Sequence, residues 1–272
     1  MALINSRGTG PERPLTGPEA FDRPAAKGSV VPRKFHKSGA LALLLTLASG
    51  ILFAQVKFVP EPPARKPPPP PAGPTPRALD GKVDLSGVWV VSGSTNLPSD
   101  PAYTAEAKKI YDQRKAGKGK DDPSGVCLPN GTVRVTALPY KIVQTPKMVI
   151  LLSEANTHSY RRFFLDGRAH NLDLDPNSWT GDSTAKWDGD TLVVDTVGVN
   201  DKTWLDSTGK PHSDEMHVVE RYSRPDLGHL NLDVSLEDPK YFTKPYSFKR
   251  VFTLAQGWEL QEYVCQEILD GR

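Results

Sequence analysis

The sequence predicts a mainly β domain, about ten short strands closed into an antiparallel barrel with one surface helix, with a two-sheet β-sandwich as the alternative. Three observations carry this. From Leu85 onward, short runs rich in β-branched and aromatic residues recur with turn residues between them. Two of these runs lead straight into Asp-Gly, at Asp166-Gly167 and Asp188-Gly189, and Asp-Gly suits the positive φ angles of a tight hairpin. One clear helix candidate stands among them, Ala102 to Lys118, entered after Pro101, ended by Gly117 and Gly119, and polar enough to lie on the surface.

The strands follow in order. LSGVWVV (Leu85 to Val91) opens the domain, and YKIVQT (Tyr140 to Thr145) and MVILLSE (Met148 to Glu154) flank a tight turn at Pro146-Lys147. SYRRFFL (Ser159 to Leu165) enters an expected hairpin at Asp166-Gly167. TAKW (Thr184 to Trp187) enters a second at Asp188-Gly189, whose return strand is DTLVVDTVG. Further strands are expected at Glu215 to Tyr222, His229 to Glu237, Tyr246 to Leu254 and Trp258 to Gln266.

Upstream, the composition changes. Residues 1–38 carry Gly, Pro and charges without periodicity and read as a disordered extension. Residues 39–54, GALALLLTLASGILFA, follow Arg33, Lys34 and Lys37, the charge order of a signal peptide or a type II membrane anchor. The run falls short of the roughly 20 residues that span a bilayer comfortably, which favours a signal cleaved after Gly50 or Ala54. Residues 55–80, with an unbroken run from Pro67 to Pro71, form a semi-rigid proline-rich linker, and residues 81–272 are the folded domain. Its compartment is therefore extracytoplasmic, periplasmic or secreted, with a membrane association through residues 39–54 as the alternative. Cys127 and Cys265, the only cysteines, are expected to form a disulfide there, two buried thiols being the other reading.

Several function classes lose support. Lys plus Arg number 34 against 32 Asp plus Glu, and no basic stripe with interleaved aromatics marks a nucleic-acid surface. There is no G-x-S-x-G elbow, Walker loop, Rossmann fingerprint, HExxH or CxxC. Zinc held by His212 and His217 with Asp206 or Asp214 would need a spacing that matches no ligand pattern, so neither metal nor cofactor is expected.

Two resemblances add to this. Gly87-x-Trp89 resembles the G-x-W of lipocalin-type barrels, whose tryptophan closes one end, and this tips the choice from sandwich to barrel; a core tryptophan on any strand reads the same way. More extensively, Asp84 to Trp89 (DLSGVW), Cys127 to Pro129 (CLP), Pro139 to Pro146 (PYKIVQTP), Asp166 to Arg168, and Trp187 to Leu230 resemble an uncharacterised family of exported bacterial proteins common in soil lineages such as acidobacteria. The last stretch holds WDGDTLVVDTVG, NDKTWLD, PHSD and HVVERY. The resemblance implies export and a shared fold, and no reaction. Its pattern G-H-S-x-G-R-W-E-G-D is met here by Gly181 to Asp190 with Asp182 for His, Ala185 for Gly and Lys186 for Arg, so a role needing that histidine does not carry over.

The candidate functional residues come from one loop, the strand after it, and scattered strand positions. The long loop from Gly198 to Glu215 holds Asn200, Asp201, Lys202, Trp204, Asp206, His212, Ser213 and Asp214, either as a binding element or as an Ω-type loop satisfying its own turns. Beyond it, alternation puts His217, Val219 and Arg221 on one face of a strand and Val218, Glu220 and Tyr222 on the other. His217 or His212 with Glu220 is the candidate acid–base set, a rim histidine or core ion pair the plainer reading. Trp89, Arg161, Trp187, Asp195, Asn200, Asp201, Trp204 and Arg221 are candidate ligand contacts; Asp195 floors a polar pocket with Arg161 or Arg162 if it points inward and meets solvent if it does not. The expected function is an extracytoplasmic, lipocalin-like binding or accessory protein holding a small, partly apolar molecule inside the barrel or under the 198–215 loop. The alternatives are a cofactor-independent lyase, isomerase or hydratase, and a membrane-tethered subunit of a larger complex.

Overall fold

Period-two alternation, clearest in Met148–Ser153, Thr191–Val197, His217–Ser223, His229–Glu237 and Tyr246–Leu254, gives these strands one apolar side, and these sides meet in a common interior. The structure is a computed structural model and describes residues 66–154, 159–173, 178–262 and 264–265. The expected extension, the hydrophobic segment 39–54 and the linker up to residue 65 lie outside the described residues. Among those described, nine strands close a barrel in sequence order: β1 (Gly87–Ser92), β2 (Tyr140–Gln144), β3 (Met148–Ser153), β4 (Tyr160–Phe164), β5 (Asp182–Asp188), β6 (Thr191–Val197), β7 (His217–Ser223), β8 (His229–Glu237) and β9 (Tyr246–Leu254), which pairs back onto β1.

Two expectations are corrected. The tenth strand, at Trp258 to Gln266, is not formed: residues 258–262 carry no strand pairing, and Gln266 lies outside the described residues. The hairpin at Asp166-Gly167 is also absent, because β4 and β5 run parallel, Phe163 opposite Ser183, and parallel neighbours cannot be joined by a tight turn. The two corrections are linked by parity. Strict up-and-down alternation of nine strands would leave β1 and β9 parallel; here that seam is antiparallel and the one parallel pair is β4–β5. The other Asp-Gly hairpin forms, Asp188 pairing Thr191 with Gly189 at φ +60°.

One barrel end is closed by Trp89, whose indole N–H donates to the Leu85 carbonyl 2.9 Å away and whose ring lies 4.8 Å from the Arg224 guanidinium carbon. Arg224 in turn donates to the carbonyls of Asp84 and Leu227. Residues 73–80, the last part of the expected linker, lie against this end: Leu227 N–H donates to Gly73 O, Thr75 to Pro225 O, and Arg77 pairs with Asp190. The opposite end is plugged by the β1–β2 connection. It contains helix α1 (Ala105–Ala116), capped by the Thr104 hydroxyl, and a short helix α2 (Gly131–Arg134) that sequence reading does not anticipate. Residues 130–133, 135–137 and, from the β6–β7 loop, 203–206 and 209–213 are buried there. Gly131, at φ +77°, allows the plug to touch Thr203, since a Cβ at 131 would fall 2.4 Å from the Thr203 hydroxyl oxygen. Cys127, in this same connection, forms the expected disulfide with Cys265.

Candidate functional site

The barrel interior is occupied by its own side chains. Tyr140, Ile142, Leu151, Phe163, Leu192, Val194, Tyr222, Leu230 and Phe252 point inward and are all but inaccessible. Among them sits a polar knot. Arg161 and Glu220, each 2% exposed, form a bidentate pair, Nη1–Oε1 2.9 Å and Nη2–Oε2 2.5 Å. Arg161 also reaches Thr196 Oγ1, and the Tyr222 hydroxyl donates to Glu220 Oε1 over 3.0 Å. Burial, then the adjacent carboxylate, pushes the Tyr222 phenol well above its ordinary value and keeps it a donor. A second interior cation, Arg250, donates to Val133 O, Thr136 Oγ1 and Thr95 O, fastening the plug from below. These residues fill the space in which a ligand was expected.

The candidate acid–base set is not assembled. Glu220 faces inward to Arg161, while His217, an odd number of positions away on the same strand, faces outward. His212 lies in the buried loop with Nε2 2.6 Å from Thr203 Oγ1 and Nδ1 3.0 Å from the Ser213 carbonyl. Burial pushes its pKa down, so the ring is neutral, with Nδ1–H donating to the carbonyl and Nε2 accepting from the threonine. The candidate ligand contacts are likewise dispersed. Trp89 caps one end, Arg161 is in the knot, Trp187 packs at the edge of the core, and Arg221 pairs on the surface with Asp188. Asn200 caps its own turn through Lys202 N–H, Asp201 is exposed, and Trp204 is buried under Arg114. Asp206 takes hydrogen bonds from Leu97 N–H, Thr208 and Lys210, and Ser213 is tied to Asp238. The 198–215 loop therefore spends most of these polar groups on its own turns and on contacts to Leu97 and Asp238.

What the fold does bring together lies on the outer face. Asp195 points out of β6, and two imidazoles converge on it: His170 Nε2 at 3.0 Å, from the connection between β4 and β5, and His217 Nε2 at 3.1 Å, from β7. His170 Nδ1 is 2.9 Å from Asp182 at the start of β5, and His217 Nδ1 is 4.0 Å from Glu237 on β8. The chain Asp182–His170–Asp195–His217–Glu237 thus crosses four strands. Its middle members are accessible, with side-chain exposures of 27% for His170, 43% for Asp195 and 34% for His217. Partial burial alone would raise the Asp195 pKa; the hydrogen bonds from the two imidazoles outweigh it and hold the carboxylate below its usual range. His170 thereby ties its own part of the β4–β5 connection to β5 and β6.

Next to this clasp, between the outer face of β4 and the returning connection, is a cleft of about 870 Å³. Tyr160, Arg162 and Phe164 alternate along β4 to form its floor, and Trp179, Asp182, Arg168 and Asn171 line it from the connection and from β5. Arg168 pairs with Asp166 and lies 3.8 Å from the centre of the Phe164 ring. A smaller cavity of about 170 Å³ opens at the plug beside Asn130 and Arg134. Sequence reasoning missed His170, Tyr160, Phe164 and Trp179. Alternation in SYRRFFL was visible, but nothing in it said which face met solvent, and the mistaken Asp166-Gly167 hairpin hid the return of His170 to Asp195. No protein-family model matches the chain, and no curated protein matches it.

Proposed function

We propose that this is an extracytoplasmic binding protein that holds a small, partly apolar molecule in the cleft between β4 and the β4–β5 connection. The observation that supports the reading most is the cleft itself: its volume lies in the range of small-molecule sites, and aromatic rings share its lining with a few convergent polar groups. The packed interior turns the ligand from the inside of the barrel to its outer wall. Export is supported by the basic-then-apolar order of residues 33–54 and by the Cys127–Cys265 disulfide, which persists in oxidising compartments.

The test is to purify the protein from its native host, extract small molecules from it, and titrate what is found. Thermal stabilisation is expected, abolished in Tyr160→Ala/Trp179→Ala and retained in His217→Ala. Binding unaffected by the cleft double variant would place the ligand elsewhere.

A second reading, cofactor-independent acid–base chemistry, draws on one observation, the Asp195–His217 contact backed by His170. Where the family pattern the chain resembles has histidine, this chain has Asp182, and His170 Nδ1 lies 2.9 Å from its carboxylate. In this reading Asp195→Asn lowers turnover at least as much as His217→Ala; an Asp195→Asn protein as active as the parent removes it.

A further inference from the structure

We infer that the cleft ligand is an organic anion with a flat apolar body, of the aromatic carboxylate class, with its charged end on Arg162; this rests on the cleft being the binding site. The argument starts from the charges in the lining. Asp166 is taken by Arg168, and Asp182 by His170 and the backbone N–H of Asn171. Arg162 has no carboxylate partner among the described residues. Its guanidinium carbon lies 5.8 Å from the Tyr160 ring and 5.4 Å from the Phe164 ring, its two same-face neighbours on β4.

A guanidinium so placed is the weakly hydrated, planar cation that pairs bidentately with a carboxylate, and the flanking rings hold its fork in place. Arg162 is exposed at the cleft, so a carboxylate on the ligand can reach it and supply the partner that the described lining does not. A second polar group points the same way: Ser178 lines the cleft, and its hydroxyl is shielded from solvent with no hydrogen-bond partner among the described residues, a donor left over for an acceptor that the ligand brings. Tyr160 and Trp179 supply rings against which a flat body can lie, with the Lys202 ammonium 5.8 Å from the Trp179 ring adding further positive potential. A neutral apolar molecule would leave Arg162 covered and unpaired, which costs more than leaving it in water.

The test uses naphthalene-2-carboxylate and its neutral counterpart, naphthalene-2-methanol, titrated into the purified full-length protein and followed by amide chemical shifts. For a ligand of this size a Kd of about 1 mM is expected for the carboxylate, readable at about 10 mM ligand. Its shifts should map to residues 160–168 and 178–182. Arg162→Gln should weaken it about tenfold or more while leaving the alcohol within about twofold, and Arg162→Lys should recover only part of the loss. If carboxylate and alcohol bind these residues equally well, or Arg162→Gln affects both alike, the anion assignment is overturned and the cleft reading stands. If both probes move other residues, or neither moves any, the cleft reading falls and the assignment with it. Arg162 is on the outer face of β4, so its variants leave the core untouched, and unfolding at the parental midpoint checks this.

Discussion

Replacing Glu220 by glutamine separates a structural from a catalytic carboxylate. The substitution keeps the volume but removes the charge facing Arg161, and of the two amide positions one must present N–H to the guanidinium N–H or to the Tyr222 hydroxyl that now donates to Oε1. Arg161 has nowhere to go: it is 2% exposed, its other contacts are Thr196 and the Thr132 carbonyl, and the second interior cation, Arg250, is already bound to the plug. Breaking one side of a buried pair costs about 3–5 kcal/mol because it strands the other charge. In a domain of this size each kcal/mol moves the midpoint by about 2–4 °C, so a loss of roughly 6–20 °C is expected. Urea denaturation at neutral pH with the disulfide intact should show the lower midpoint at unchanged slope. The double variant Arg161→Met/Glu220→Leu should recover most of the loss, since both charges leave together. Glu220→Gln within about 1 kcal/mol of the parent would refute the argument and return Glu220 to the list of functional groups.

Three further outcomes follow from other parts of the fold. Cys127→Ser/Cys265→Ser should lose about 4–5 kcal/mol in the chain-entropy model, because the disulfide spans 138 residues; a midpoint unchanged in urea would show that it adds nothing to the plug. Burial would raise the Asp206 pKa, but hydrogen bonds from Thr208 and Lys210 and the backbone outweigh it and depress it. Its contribution is therefore whole above the unfolded carboxylate value of roughly 4 and is lost as pH falls through the lower folded value. The stability gap between parent and Asp206→Asn should narrow below about pH 4, and a gap constant from pH 2 to 7 would contradict this. Gly131→Ala should cost more than about 2 kcal/mol, from φ +77° and from the contact with Thr203; Thr203→Ala in the same protein should relieve only part, and a stable Gly131→Ala protein would mean that the plug and the 198–215 loop are not in contact.

The fold was legible where local chemistry decides it and hidden where the whole ring decides it. Alternation and Asp188-Gly189 located β5 and β6, because the hairpin depends on residues within a few positions. Asp166-Gly167 has the same local chemistry and makes no hairpin, because an odd ring closed by an antiparallel β9–β1 seam needs a parallel pair somewhere, and no dipeptide encodes that. The candidate residues are dispersed for a related reason. Asn200, Trp204, Asp206, His212 and Glu220 attracted notice as chemically capable groups in a dense stretch, yet a barrel plugged by a polar loop must satisfy many buried donors and acceptors, and these side chains do that work. The cleft on the outer wall is lined instead by groups that the interior does not consume, among them Tyr160, Arg162 and Trp179. The parallel pair accounts for that cleft: antiparallel neighbours joined by tight turns leave a bare convex wall, whereas the β4–β5 connection cannot be a tight turn, and its described residues, tied to β5 and β6 through His170, line the cleft.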